Sequence, residues 1–169
     1  LNAPLEVRFA CLGHDLGKGT TPQAEWPRHI GHEERSARLL KALCLRLRVP
    51  NDCSELADVV AREHGNIHQS SEFGAAALVR LLERCDAFRK SERFADILLA
   101  CECDARGRLG LSEQPYPQRQ RLLGALTAAQ SVLTAEVAAA AEAQGLNGAA
   151  IGQAVHAART AALNSWLTP

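Results

Sequence analysis

Leu5-Glu6-Val7-Arg8-Phe9-Ala10-Cys11-Leu12-Gly13-His14-Asp15-Leu16-Gly17-Lys18-Gly19 is the stretch that decides how the rest of the chain is read. Val7, Ala10, Cys11 and His14 recur at helical spacing, so one face of a helix runs into an adjacent His-Asp pair. Pro4 suits the start of that helix, and Gly17 and Gly19 suit its end. A His-Asp pair at a helix end can present an imidazole nitrogen and a carboxylate to one cation. Mixed nitrogen and oxygen donors suit divalent transition metals, with magnesium or manganese favoured as oxygen ligands increase. The dipeptide alone says little; the apolar helix before it and Leu16-Gly17-Lys18-Gly19 after it make it specific.

Outward from this segment the helical pattern continues. Aromatic residues are 4% of the chain, and no sustained apolar–polar alternation marks strands. Thr20-Thr21-Pro22 opens a loop. From Gly31 a stripe of Leu39, Leu40, Leu43 and Leu47 runs to Pro50. Asn51 or Ser54 is placed to cap the next helix, where Leu56, Val60 and His64 recur at i, i+4 and i+8. Leu78, Leu82 and Asp86 repeat that spacing. Ile97, Cys101 and Asp104 follow, until Gly107 and Gly110 break the pattern. The spacing predicts an all-α fold of about seven to nine helices. Its inward set is Leu12, Leu39, Leu43, Leu47, Leu56, Val60, Leu78, Leu82, Ile97 and Leu98.

Residues 112–117, Ser-Glu-Gln-Pro-Tyr-Pro, read as a joint between a helical bundle over 1–112 and a helical extension over 113–169. Between Gly124 and Leu163 the extension has sixteen alanines in forty residues. Its small side chains fit close packing within the chain or a homodimer interface equally well. Its lone His156 reads as a structural or exposed residue.

Composition narrows the function classes. At 169 residues, 47% hydrophobic and 22% charged, the chain is not disordered. Nineteen basic residues balance nineteen acidic ones, which argues against a nucleic-acid binder relying on bulk positive charge. No run of apolar residues is long enough to span a membrane. Leu1-Asn2-Ala3-Pro4 has no basic region followed by an apolar core, so no signal peptide is expected. The chain has no Met, and reads as a piece of something longer. Cys11, Cys44, Cys53 and Cys85 are far apart, Cys101 and Cys103 do not face each other on a helix, and no C-x-x-C occurs. The six cysteines are therefore expected as reduced thiols filling a core, in a cytoplasmic protein.

The remaining polar residues extend the cation site. His29 and His32 form H-x-x-H ahead of a helix, and His64 lies in line with Leu56 and Val60, so it points inward. Several inward ligands in an apolar helical core are costly without a partner ion. A last carboxylate is expected from a later helix. Asp86 and Asp104 are both inward by periodicity; Asp86 is preferred because it lies one helix after His64, leaving Asp104 to pair with Arg106 or Arg108. Lys18, Arg28 and His29 are placed to meet a phosphate, or are ordinary solvated charges. Between Arg80 and Arg121 nine basic residues face seven acidic ones. Arg84, Arg89, Lys90, Arg93, Arg106 and Arg108 would form either a phosphate-contacting strip or a solvated face with local ion pairs.

The ordered set His14-Asp15, His32, His64 and Asp86 resembles the HD superfamily of metal-dependent phosphohydrolases. Further stretches resemble the HD and C-terminal part of the bacterial CCA-adding tRNA nucleotidyltransferase family. They are Thr20-Thr21-Pro22, Trp26-Pro27-Arg28-His29-Ile30-Gly31-His32, Cys44 to Asn51, Asp86-Ala87-Phe88-Arg89-Lys90, Ala105-Arg106-Gly107-Arg108 and Tyr116-Pro117-Gln118. The resemblance spans roughly residues 5–130 and is least distinct in the Ala-rich tail. It implies an HD phosphohydrolase domain over 1–112, with 2',3'-cyclic phosphodiesterase, 2'-nucleotidase and phosphatase activities on nucleotide phosphate esters. It implies nickel or another transition metal at the HD site and magnesium for the parent enzyme. It makes His14 and Asp15 metal ligands and, with Lys18, catalytic residues, and it implies tRNA contact around Arg89, Lys90, Arg106 and Arg108. A tRNA-supporting, non-catalytic role is the alternative. Two departures stand out. The family's first histidine ligand precedes the His-Asp pair, and no histidine precedes His14, so an incomplete, weakly occupied metal site is expected. The Gly-Ser and Asp-x-Asp pairs of the polymerase are also missing, so this stretch is not expected to add CCA.

Overall fold

A computed structural model describes residues 3–168, and every regular element among them is helical, as the periodicity predicts. The eight α-helices are α1 (Leu5–Gly13), α2 (His32–Leu47), α3 (Asn51–His68), α4 (Ala75–Arg84), α5 (Ser91–Arg106), α6 (Pro117–Gln130), α7 (Thr134–Ala143) and α8 (Ala149–Leu167). Short 3-10 turns at Leu16–Thr20, Gln23–Glu25 and Ser70–Glu72 link them. Among the described residues no single helix is long and apolar enough to cross a membrane.

Helix α3 is the hub, with α1, α2 and α5 packed around it. Leu56, Val60, Leu78, Leu82, Ile97 and Leu98 are buried, as their periodicity requires. Helix α8 packs on α4, α6 and α7. Leu122 of α6 and Leu163 of α8 are buried in the same cluster as Val7 and Leu56, so one core runs across position 112. His156 ties α8 to α4 through Glu83, its Nδ1 lying 3.0 Å from Oε1. Cys53, Cys85 and Cys101 are buried as small apolar groups.

Four leucines depart from the inward set. Leu12 is 79% exposed. At about 100° per residue it lies about 140° around α1 from Val7, off the row that Val7 and Ala10 bury. Leu39 and Leu47 are exposed and Leu43 is only half-buried. Helix α2 buries the adjacent row instead, Ser36, Ala37 and Leu40. The small members of that row admit a close neighbour. Gly17 donates its N–H to Ser36 Oγ at 2.9 Å, and a Cβ on Gly17 would stand 2.2 Å from the carbonyl oxygen of His32. Leucine at the contact would hold the 3-10 turn away from α2. That turn follows directly on His14-Asp15, so this contact sets the distance between Asp15 and His32.

Candidate metal centre

Four elements meet at one end of the bundle. His14 caps the C-terminus of α1, and Asp15 precedes the turn pressed on α2. His32 is the first residue of α2, His64 lies in the last turns of α3, and Asp104 lies in the last turn of α5. Their polar atoms converge. His14 Nε2 is 3.4 Å from Asp15 Oδ2 and 3.5 Å from Asp104 Oδ1. Asp15 Oδ1 is 3.2 Å from His32 Nε2 and 3.6 Å from His64 Nε2. The Nε2 atoms of His32 and His64 are 3.2 Å apart.

Each imidazole is aimed by the backbone immediately before it. His14 Nδ1 lies 2.9 Å from the Cys11 carbonyl, His32 Nδ1 3.0 Å from that of His29, and His64 Nδ1 3.0 Å from that of Val60. A carbonyl only accepts, so Nδ1 carries the hydrogen and donates it in all three rings. The Nε2 atoms therefore all face the cluster. Two unprotonated Nε2 atoms at the 3.2 Å that separates those of His32 and His64 repel unless positive charge lies between them. His14 Nε2 and Asp15 Oδ1 are buried without a hydrogen-bond partner among the described residues.

The electrostatics favour a cation. Burial works against charge on His14, but the carboxylates of Asp104 and Asp15 outweigh it and raise its pKa to about 10. Burial and the neighbouring charge of His14 lower that of His64. Against burial, His14 and Lys18 hold the Asp15 carboxyl well below the usual range, and His14 and His68 do the same for Asp104. The cluster thus draws positive charge to His14 Nε2, where a divalent cation competes with a proton. Ligand bonds of about 2.0–2.2 Å put neighbouring donor atoms about 2.8–3.6 Å apart in octahedral or tetrahedral arrangements. The observed separations of 3.2–3.6 Å fit that spacing. His14, Asp15 and His64 alone bring one donor atom each to within 4.8 Å of one another.

Asp86, the preferred last carboxylate in the sequence reading, is elsewhere. It lies in the turn before α5, and Arg89 holds both its oxygens at 2.8 and 3.0 Å. The helix from Ser91 to Asp104 alone is about 20 Å long, so the two aspartates occupy opposite ends of α5. Periodicity gives both the same face and cannot say which end reaches the cluster. Asp104 faces His14 and also accepts from Arg108 at 3.2 Å.

Lys18 is at the rim, its Nζ 2.6 Å from Asp15 Oδ2 and its side chain 37% exposed. Arg28 is exposed on the neighbouring loop. The His29 ring turns toward Thr21, with Nδ1 3.0 Å from Oγ1, while its carbonyl orients His32. The six cations of the strip all have acidic partners. Arg84 pairs with Glu63, Arg89 with Asp86, Lys90 and Arg93 with Glu55, Arg106 with Glu102 and Arg108 with Asp104.

Two residues at the cluster were not singled out by the sequence reading. His68 Nε2 is 3.0 Å from Asp104 Oδ2, and His68 Nδ1 is 2.8 Å from the Tyr116 hydroxyl. The H-x-x-x-H spacing of His64 and His68 puts both on one face of α3 and was the available signal. Tyr116 belongs to the joint and to the Tyr116-Pro117-Gln118 stretch that carries the resemblance, but no helical spacing ties it to the cluster.

The HD domain family matches residues 2–123. The chain is 69% identical over 99% of its length to the multifunctional CCA protein of Acidovorax sp. (strain JS42), of which it covers 39%. It is 71% identical over 96% of its length to the multifunctional CCA protein of Polaromonas naphthalenivorans (strain CJ2), covering 38%. For the protein of that name from Cupriavidus metallidurans the identity is 63%, again over 96% of this chain and 39% of the relative. The chain thus spans about two-fifths of the length of the curated relatives it matches. No solved structure matches it. A His-Asp pair ending an apolar helix, histidines from two further helices beside it, and a family match over most of the chain agree: this chain belongs to the HD domain family.

Proposed function

We propose that the chain is the metal-dependent phosphohydrolase module of a CCA-adding tRNA nucleotidyltransferase. In this reading it hydrolyses small nucleotide phosphate esters, 2',3'-cyclic phosphodiesters and 2'-phosphates among them. The observation that carries it is the convergence of three imidazole Nε2 atoms on the Asp15 carboxylate, with Asp104 against His14. The name shared by the relatives, multifunctional CCA protein, supports the assignment to that parent enzyme, with tRNA as its substrate. Three nitrogen donors among five favour nickel or another transition ion here, with magnesium serving the parent's polymerisation chemistry.

His14, Asp15, His32, His64 and Asp104 would hold the cation. Bound there, a divalent ion would supply Lewis acidity toward a phosphoryl oxygen and toward water. Asp15 divides its two oxygens: Oδ1 faces His32 and His64, while Oδ2 fixes Lys18. The Lys18 ammonium is thereby held at the rim, where it neutralises non-bridging oxygens of the ester. Arg28, exposed on the neighbouring loop, would add positive charge for an incoming phosphate.

The test is hydrolysis of 2',3'-cyclic AMP and 2'-AMP in the presence of nickel, cobalt, manganese or magnesium. Asp15→Asn keeps the shape and removes the charge, so turnover should fall by at least about 100-fold. Equal turnover by wild type and Asp15→Asn would sink the assignment. A tRNA-supporting role is tested separately, by the salt dependence of tRNA affinity. With every cation of the strip already paired, that dependence is expected to be shallow.

A further inference from the structure

We propose that His68 and Tyr116 are positioning residues for Asp104, so that the segment leading into α6 sets one donor of the metal centre. The proposal rests on the reading that the cluster holds a metal.

His68 is one turn beyond His64 on the same face of α3, with ring centroids 6.0 Å apart. Yet it is used differently. His14, His32 and His64 spend Nδ1 on a backbone carbonyl. Both ring nitrogens of His68 engage side chains instead. The proton assignment follows from the partners. The Asp104 carboxylate only accepts, so His68 Nε2 carries the hydrogen and donates it at 3.0 Å. In the neutral imidazole Nδ1 is then a lone pair, and the Tyr116 hydroxyl, 2.8 Å away, is placed to donate to it. Burial keeps that phenol protonated, and its ring meets the edge of His68 at a centroid distance of 5.7 Å.

The result is a directed chain, Tyr116 to His68 to Asp104, with Asp104 Oδ1 left facing His14 Nε2. Anchoring one carboxylate oxygen fixes where the other points. Arg108 also reaches Asp104 Oδ2, but its side chain is 60% exposed and gives a looser hold. Tyr116 directly precedes Pro117, the first residue of α6. Gln118 donates to the His68 carbonyl at 3.1 Å, a backbone contact separate from the Tyr116–His68–Asp104 chain. A residue of the joint thereby acts on a donor in α5 through the last residue of α3.

The experiment titrates cobalt(II) alone into the protein by calorimetry and by visible absorption, which reports ligand geometry. It compares wild type, Tyr116→Phe, His68→Ala, the double variant and Gln118→Ala. His68→Ala should weaken cobalt binding roughly 10–100-fold, as loss of an outer partner of a metal ligand does. Tyr116→Phe should weaken it about 2–10-fold, the value of one hydrogen bond. It should add nothing in the His68→Ala background, where the chain is already cut. Gln118→Ala loosens the same α3–α6 contact but spares the chain, so its affinity and spectrum should match wild type. Wild-type affinity and spectrum in both His68→Ala and Tyr116→Phe would overturn the positioning role, while the metal reading would stand if Asp15→Ala still abolished binding. A loss in Gln118→Ala equal to that in Tyr116→Phe would reduce the pair to packing and overturn it too. Failure of the wild type to bind cobalt would overturn both readings. If His68→Ala does not fold, Tyr116→Phe, which loses one hydroxyl, decides alone.

Discussion

Gly17→Ala puts one methyl group where the site is assembled. Its Cβ would lie 2.2 Å from the carbonyl oxygen of His32, 2.6 Å from the amide nitrogen of Ser36 and 2.9 Å from Cβ of Arg35. The two nearest atoms are helix backbone, so no rotamer change relieves the clash; the 3-10 turn and α2 must separate by about an ångström. Overpacking of this kind costs about 1–3 kcal/mol. Separation also strips the buried bond from Gly17 N–H to Ser36 Oγ, adding about 1 kcal/mol. The expected loss of stability is therefore about 2–4 kcal/mol. The same displacement carries Asp15 away from His32, now 3.2 Å apart, so cobalt affinity should fall at least about 10-fold. Gly19→Ala is the internal control. It lies on the same turn with no atom within 4 Å of its Cβ, and should stay within about 0.5 kcal/mol of wild type. Urea denaturation and cobalt calorimetry on the two variants read both quantities. A Gly17→Ala protein as stable as Gly19→Ala, with unchanged cobalt affinity, would refute the claim that this contact sets the site.

A transition metal at about 100 times its dissociation constant should stabilise the protein by about 2.7 kcal/mol. For a chain of this size that raises the melting temperature by roughly 5–10 °C, an effect reversed by chelator and absent in Asp15→Ala. Asp104→Ala should cost at least about 10-fold in cobalt affinity, whereas Asp86→Ala, which cuts only the pairing with Arg89 and Arg93, should leave it unchanged by calorimetry. Burial pushes the Cys85 thiol up from 9.0 to about 12. The folded state therefore resists ionisation that the unfolded state accepts: stability is full below pH 9 and is lost as pH rises toward 12, at about 1.4 kcal/mol per unit. Urea midpoints at pH 8 and 10.5 should show a drop that Cys85→Ala reduces; an equal drop in that variant would refute the assignment.

The helices were legible because each keeps an apolar row and ends at a breaker, as α2 does before Pro50 and α5 before Gly107. The meeting of His14, Asp15, His32 and His64 was legible for a related reason. Each continues such a row or follows a helix end, and inward polar groups in one small core have few places to go. Which of two leucine rows α2 buries was not legible. Row choice depends on the approach of the Gly17 turn, a contact between segments nineteen residues apart. Asp86 and Asp104 fail for the same kind of reason: periodicity fixes the face of a residue but not the end of the bundle it reaches. Tyr116 sits in a stretch that carries the family resemblance, but its meeting with His68, 48 residues away, follows no periodicity.

The three imidazoles are each aimed by a carbonyl three or four residues earlier in the chain. Their torsions are therefore settled within one turn of backbone, and the opening between their Nε2 atoms has the rigidity of a gauge. An ion of the wrong radius cannot be met by swinging a ring; it is met by sliding α1, α2 and α3 against one another. The work of misfit then falls on Val7, Leu40, Leu56 and Val60, which hold those helices together. In the proposed metal centre, selectivity among cations would then be a property of the apolar packing. A substitution such as Leu56→Ala, which touches no donor atom, should alter which ion is preferred as well as how firmly the chain stays folded.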